Sequence, residues 1–226
     1  MRVARPDASG SVRALGHPAR EGVEHLTQAD PVLAALIARV GAYDLAPRKN
    51  RDHFGTLARA IVFQQLSGKA AETIHGRFLG LFATKKPAPN DVLRASEEAL
   101  RGVGLSRAKV LAVRDLAAAT LDGRLELPVP PRLADEEIVE RLTLVRGIGP
   151  WTAHMFLMFH LGRSDVLPVG DLGLRTAVKR AYALRGEVKP ARLEKIAAPW
   201  RPWRSVATWY LWRSLDSVGT NPAAGT

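Results

Sequence analysis

Residues 144–180 read LVRGIGPWTAHMFLMFHLGRSDVLPVGDLGLRTAVKR. Gly147 and Gly149 bracket Ile148, Pro150 follows, and an apolar-periodic run begins. Glycine tolerates positive φ and lets another backbone come close, and proline suits the first turn of a helix. The stretch therefore predicts a helix–turn–helix hairpin with Ile148 packed inward between its helices. The amides that open the second helix lack intrahelical acceptors and stand at the positive end of its dipole, which makes an anion site suited to a phosphodiester. The same pattern also describes an ordinary αα-hairpin that uses glycine only to turn.

About twenty residues on, LPVG leads into Asp171 and then LGLRTAVKRAY. Aspartate is a preferred N-cap, and that role alone would account for it. A helix N-terminus also favours a carboxylate as the anion. On a surface meant for phosphate a carboxylate repels the ligand, so it points to chemistry as well as capping. Arg175, Lys179 and Tyr182 follow at helical spacing, placed to grip phosphates while Asp171 faces a sugar.

Charge supports a polyanionic partner. The 226 residues carry a net charge of +11 at pH 7, and residues 141–213 hold 13 Lys and Arg against 4 Asp and Glu. An excess gathered on one third of the chain describes a binding face for nucleic acid. The chain has no cysteine, which excludes disulfides, Cys-zinc sites and Cys-bound iron–sulfur clusters. The six histidines show no metal spacing; His154 and His160 lie six apart, and His53 and His75 suit surface or packing roles. No apolar run approaches the roughly 18 residues of a membrane span, and the start, MRVARPDASGSVRALG, has no signal-peptide core.

The periodicity is helical throughout, in segments such as DPVLAALIARVGAY, RDHFGTLARAIVFQQLS, AAETIHGRFLGLF, PNDVLRASEEALRG, SRAKVLAVRDLAAATLDG, DEEIVERLTL, PARLEKIAA and PWRSVATWYLWRSLD. LPVPPR at 127–132 is a connector that cannot be helical inside. The class is all-α. ALRGVGLSRAKVLAV at 99–113 weakly echoes TLVRGIGPWTAHMFL at 143–157. Residues 1–20 are expected to be a flexible extension.

LTLVRGIGPWTAHMF followed by LPVGD resembles the helix-hairpin-helix DNA glycosylase superfamily, and within it the 3-methyladenine DNA glycosylase II type. FGTLARAIVFQQLSGKAAETIHGRF is similar to that family's early segment and PWRSVATWYLWRS to its late aromatic one, so the resemblance covers about residues 25–216. The chain lacks room for the N-terminal β-rich domain of larger members. The resemblance implies two helical subdomains, 46–163 and 21–45 with 164–226, flanking a DNA-binding cleft. It implies catalysis by Asp171 and a base pocket of Trp151, Trp212, Gln64 and Met155. Trp203 and Trp209 are read instead as ordinary core residues. DNA contacts would come from Gly147, Ile148, Gly149, Thr152, Gln65, Ser67, Arg175 and Lys179, with Gln65 at the position of the wedge. The carbonyls of Thr143, Val145 and Ile148 would hold a sodium or potassium ion.

Lyase-competent relatives carry a lysine where Trp151 stands, so the resemblance implies a monofunctional enzyme, without catalytic cofactor or iron–sulfur cluster. Its partner would be duplex DNA bearing alkylated purines, bound by a monomer beside chromosomal DNA in the cytoplasm, or in the nucleus of a eukaryote. A noncatalytic DNA-binding module and a glycosylase for oxidised or mismatched bases remain as alternative readings.

Overall fold

The computed structural model describes residues 17–45 and 52–216. Among them every regular element is helical and there is no strand. The chain begins with α1 (His17–Ala29) and α2 (Pro31–Val40). It continues through α3 (His53–Phe63), α4 (Gly68–Gly80), α5 (Pro89–Arg94), α6 (Glu97–Gly102), α7 (Arg107–Leu121), α8 (Asp135–Thr143) and α9 (Pro150–Phe156). It ends with α10 (Leu172–Ala181), α11 (Pro190–Ile196) and α12 (Arg204–Asp216). The described residues form two compact units: a hairpin unit, 52–156, and an aspartate unit, 17–45 with 157–216. The division falls between Phe156 and Leu157, where the helix begun at Pro150 changes from α to a π turn over Leu157–Leu161. α1 starts inside the stretch expected to be an extension; residues 1–16 lie outside the described residues.

In the hairpin unit α3 packs on α4, α7 and α9, while α5 and α6 pack on α7 and α8 on α9. α3 buries Phe54, Leu57, Ala58, Ile61 and Val62, the i, i+3, i+4, i+7, i+8 stripe of an amphipathic helix. Phe78 of α4, Val113 and Leu116 of α7 and Leu142 of α8 are fully buried, and truncating such a leucine or phenylalanine to alanine costs roughly 2–5 kcal/mol. PNDVLRASEEALRG is two helices rather than one. Ala95 turns extended, and the Ser96 hydroxyl accepts the Ala99 amide at 3.0 Å to open α6. Local capping here interrupts a continuous helical pattern.

In the aspartate unit α12 packs on α1, α2 and α10. Its core includes Leu26, Leu33, Leu174, Val178, Trp200, Trp209, Tyr210 and Leu211. Asp30 caps α2 from within this core. Its Oδ1 accepts the amides of Val32 (2.9 Å) and Leu33 (3.2 Å), and its Oδ2 accepts Tyr182 Oη (2.5 Å) and Trp200 Nε1 (3.0 Å). Burial pushes this carboxyl's pKa up, but the four hydrogen bonds together hold it below the usual value. Tyr182, read as a phosphate contact, is thus a half-buried partner of Asp30.

Candidate active site

In the hairpin unit, α8 and α9 are joined by a turn in which the Ile148 amide reaches the Val145 carbonyl at 3.1 Å. Val145 and Ile148 are buried. Gly147 has φ +79, and a Cβ placed on it would stand 3.0 Å from the Ala112 Cβ, so glycine is required both by backbone angle and by space. Gly149 differs: its φ is not positive, and a Cβ there would meet nothing within 4 Å. Its exposed backbone therefore offers open room for an approaching ligand. The amides of Gly147, Gly149 and Thr152 have no acceptor among the described residues, three donors from one turn and one helix start, as an anion requires.

Two side chains brace the turn. Asp115 of α7 accepts the Arg146 amide at 2.7 Å, and Gln64, capping the end of α3, donates to the Gly147 carbonyl at 2.8 Å. Gln64, expected in the base pocket, is half-buried and holds the hairpin. Gln65, Leu66 and Ser67 are exposed in the following turn, with Gln65 in the left-handed region at φ 56. Trp151 is 37% exposed at the start of α9, Thr152 is buried and Met155 half-buried. Burial pushes the Lys109 pKa down, but its Nζ donates to the Val62 carbonyl at 2.7 Å and so serves the end of α3. The echo at 99–113 is a different turn: the positive φ falls on its second glycine, Gly104 (φ 102), while Gly102 ends α6.

In the aspartate unit the loop before α10 is clamped by the first turn of α12. Arg204 makes a bidentate pair with Asp165 (Nε–Oδ1 2.6 Å, Nη2–Oδ2 3.0 Å) and also donates to the Asp165 carbonyl. The Ser205 hydroxyl accepts the Val166 amide (3.0 Å) and donates to the Arg163 carbonyl (2.7 Å). The chain then turns through a 2.8 Å bond from the Asp171 amide to the Pro168 carbonyl. Asp171 caps α10: its Oδ1 accepts the Leu174 amide at 2.6 Å and Trp212 Nε1 at 2.9 Å. Two donors, one of them an amide of the helix's own first turn, therefore fix the orientation of one carboxylate. Trp212 stacks on Phe159 of the π turn, centroids 6.0 Å apart and planes 15° apart.

A family profile described as HhH-GPD superfamily base excision DNA repair protein matches residues 58–202. The chain belongs to that superfamily. This HhH-GPD protein is 34% identical over 197 residues to DNA-3-methyladenine glycosylase 1 of Schizosaccharomyces pombe, covering 84% of this chain and 85% of the relative. It is similar in structure to DNA-3-methyladenine glycosidase from Bacillus halodurans, with TM-score 0.80 and 36% identity over 88% of this chain and 90% of that one. It is also similar to S. pombe 3-methyladenine DNA glycosylase in complex with abasic DNA, with TM-score 0.76 and 31% identity over 89% and 99% of the two chains.

Within the HhH-GPD frame the structure brings Asp171 and Trp212 into direct contact and gathers Gln64 with the hairpin. Arg175 is drawn elsewhere: its guanidinium donates to the Val188 carbonyl at 2.6 Å and pairs with Glu187. Lys179 is exposed. Trp209 is buried in the core and Trp203 half-buried. Sequence reasoning missed Gly173 and Phe159. A Cβ on Gly173 would stand 3.1 Å from Asp171 Oδ1 and 3.6 Å from the Trp212 indole. The signal was present in the triplet Asp171–Leu172–Gly173, but it becomes readable only once Trp212 is known to lie there. Among the described residues no His, Asp and Glu group could hold a metal ion, and no helix is long and apolar enough to cross a membrane.

Proposed function

We propose that the protein is a monofunctional DNA N-glycosylase that excises alkylated purines, of the 3-methyladenine and 7-methylguanine class, from duplex DNA. The observation that carries this reading is the Asp171 carboxylate, held at the head of α10 by Trp212 Nε1 and the Leu174 amide. A base must leave the stack before its glycosidic bond can be reached. The turn after α3 supplies the means to fill the gap, with Gln65 held in a left-handed conformation and Leu66 exposed beside it. The hairpin amides of Gly147, Gly149 and Thr152 hold a phosphate, while exposed Lys179 contributes charge.

A purine alkylated on a ring nitrogen is cationic and leaves as a neutral base. The C1′–N bond breaks, the base takes the bonding pair, and positive charge appears on the sugar. Asp171 stabilises that charge and accepts the proton of the water whose oxygen bonds to C1′. An aromatic face favours a cationic base by roughly 0.5–2 kcal/mol, depending on desolvation; Trp151 offers one in the hairpin unit, beside Met155 on the same helix, and Trp212 offers one in the aspartate unit. Trp151 stands where a Schiff base would need an amine, and the product is an abasic site.

The carbonyls of Thr143, Val145 and Ile148 fall within six residues of one turn, and their oxygens are the hard donors that suit sodium or potassium. These carbonyls would hold such an ion, which would supply positive charge for a phosphate; no chemical step passes through it. The protein acts as a monomer beside chromosomal DNA.

Methylated duplex DNA incubated with the protein should release free 3-methyladenine and 7-methylguanine. Asp171→Asn should still bind the duplex and release neither. Release of 8-oxoguanine without any alkylpurine would overturn the base preference, and duplex binding with no release from any damaged base would overturn the enzyme.

A further inference from the structure

Six cations follow one another along residues 179–195 of the aspartate unit: Lys179 and Arg180 at the end of α10, Arg185 in the following loop, and Lys189, Arg192 and Lys195 on or beside α11. All six are exposed, and none has a carboxylate partner among the described residues. Elsewhere in the unit Arg20, Arg175, Arg201, Arg204 and Arg213 each pair with one. The described residues of this unit hold 13 Lys and Arg against 9 Asp and Glu. Residues 179–195 hold 6 against 2, so this one segment carries the whole excess and the remainder is balanced.

The segment is a built surface. Ala183, at φ 50, turns the chain off α10, and the Leu184 amide bonds back to the Lys179 carbonyl at 2.9 Å. Buried Val188 and Leu193 root the loop and α11 in the core. The Lys189 carbonyl accepts the amides of Arg192 and Leu193, both at 3.0 Å. Glu187, the acid inside the loop, is neutralised by Arg175. None of the exposed large hydrophobic residues falls in 179–195, so the aromatic or aliphatic anchors of a protein interface are missing.

We infer that residues 179–195 form a second phosphate-binding surface for duplex DNA, separate from the hairpin and lying in the other unit. It holds undamaged duplex without regard to sequence, keeping the enzyme on DNA between encounters with a damaged base. The inference rests on the DNA glycosylase reading above. Its test is the triple variant Arg185→Ser, Lys189→Ser, Arg192→Ser, which leaves the hairpin, Asp171 and Lys179 intact. Binding of a labelled undamaged duplex is measured across a salt series. Each lost phosphate contact lowers the slope of log K against log salt by about 0.9, so the variant should be less steep by about 2 to 3. Single-turnover base release at saturating protein should match wild type, and the charge-retaining variant Arg185→Lys, Lys189→Arg, Arg192→Lys should keep the wild-type slope. An active wild type with an unchanged slope in the triple-serine variant would overturn this surface alone. Lost binding to polyglutamate with DNA binding unaltered would assign the patch to an acidic protein and overturn it too. A wild type that neither binds duplex nor releases base would overturn the glycosylase reading and this surface together.

Discussion

Trp212 Nε1 lies 2.9 Å from Asp171 Oδ1, so an indole 41 residues along the chain fixes which way the carboxylate points. Trp212→Phe keeps an aromatic ring beside Phe159 and removes the donor. A hydrogen bond to a charged group is worth about 1.5–3 kcal/mol, so the rate of base release should fall roughly tenfold or more. The affinity for damaged duplex should change little. Single-turnover rates and binding isotherms on the same substrate check this, and equal loss in both would remove the orienting role.

Gly173→Ala should separate stability from activity. Alanine is the better helix former by about 1 kcal/mol, and Gly173 is the second residue of α10. The added Cβ would crowd Asp171 Oδ1 at 3.1 Å. Thermal unfolding should be unchanged or slightly higher, while base release drops.

The two hairpin glycines should fail in different ways. Gly147→Ala places a Cβ at φ +79 against Ala112, and strain in the left-handed region costs about 1–2 kcal/mol before the contact is counted. Gly149→Ala meets no neighbour, so it should fold like wild type and bind duplex more weakly. Melting temperatures and duplex affinities of both variants test the contrast.

Asp30 makes stability depend on pH. Its folded pKa is depressed, so its contribution is complete above the unfolded value of about 4 and is lost as pH falls through the lower folded value. Asp30→Asn should therefore be less stable than wild type near pH 7, with the gap narrowing below about pH 4. Denaturant midpoints of both proteins from pH 7 to pH 3 measure it; a constant gap would show that the charge is not what matters.

The parts of the site legible in the sequence were those set by local chemistry. Glycine at a tight turn and aspartate before a helix announce themselves within a few residues, which is why Gly147 reads as the turn glycine and Asp171 as the N-cap of α10. The partners of Arg175 and Tyr182 are not legible in the sequence, because helical spacing gives a direction and not a partner. Glu187 and Val188 take the first, and Asp30, 152 residues away, takes the second. α1 was missed because HPAREGVEHLTQA is mostly polar, and its burial of Leu26 depends on elements far along the chain. The resemblance puts Gln64 in a base pocket, and only the fold shows its amide on the Gly147 carbonyl.

Ser205 and Trp212 are seven residues apart on α12, which at 3.6 residues per turn sets them on one side of the helix. The first anchors residues 163 and 166, and the second holds Asp171. Removing or adding a residue between them would swing the indole by about 100°, and no side-chain replacement could bring it back. A substitution along α12 alters the contacts of one side chain, whereas a change in its length displaces every contact beyond it. Descendants of this chain are therefore locked in register here even where a single side chain changes.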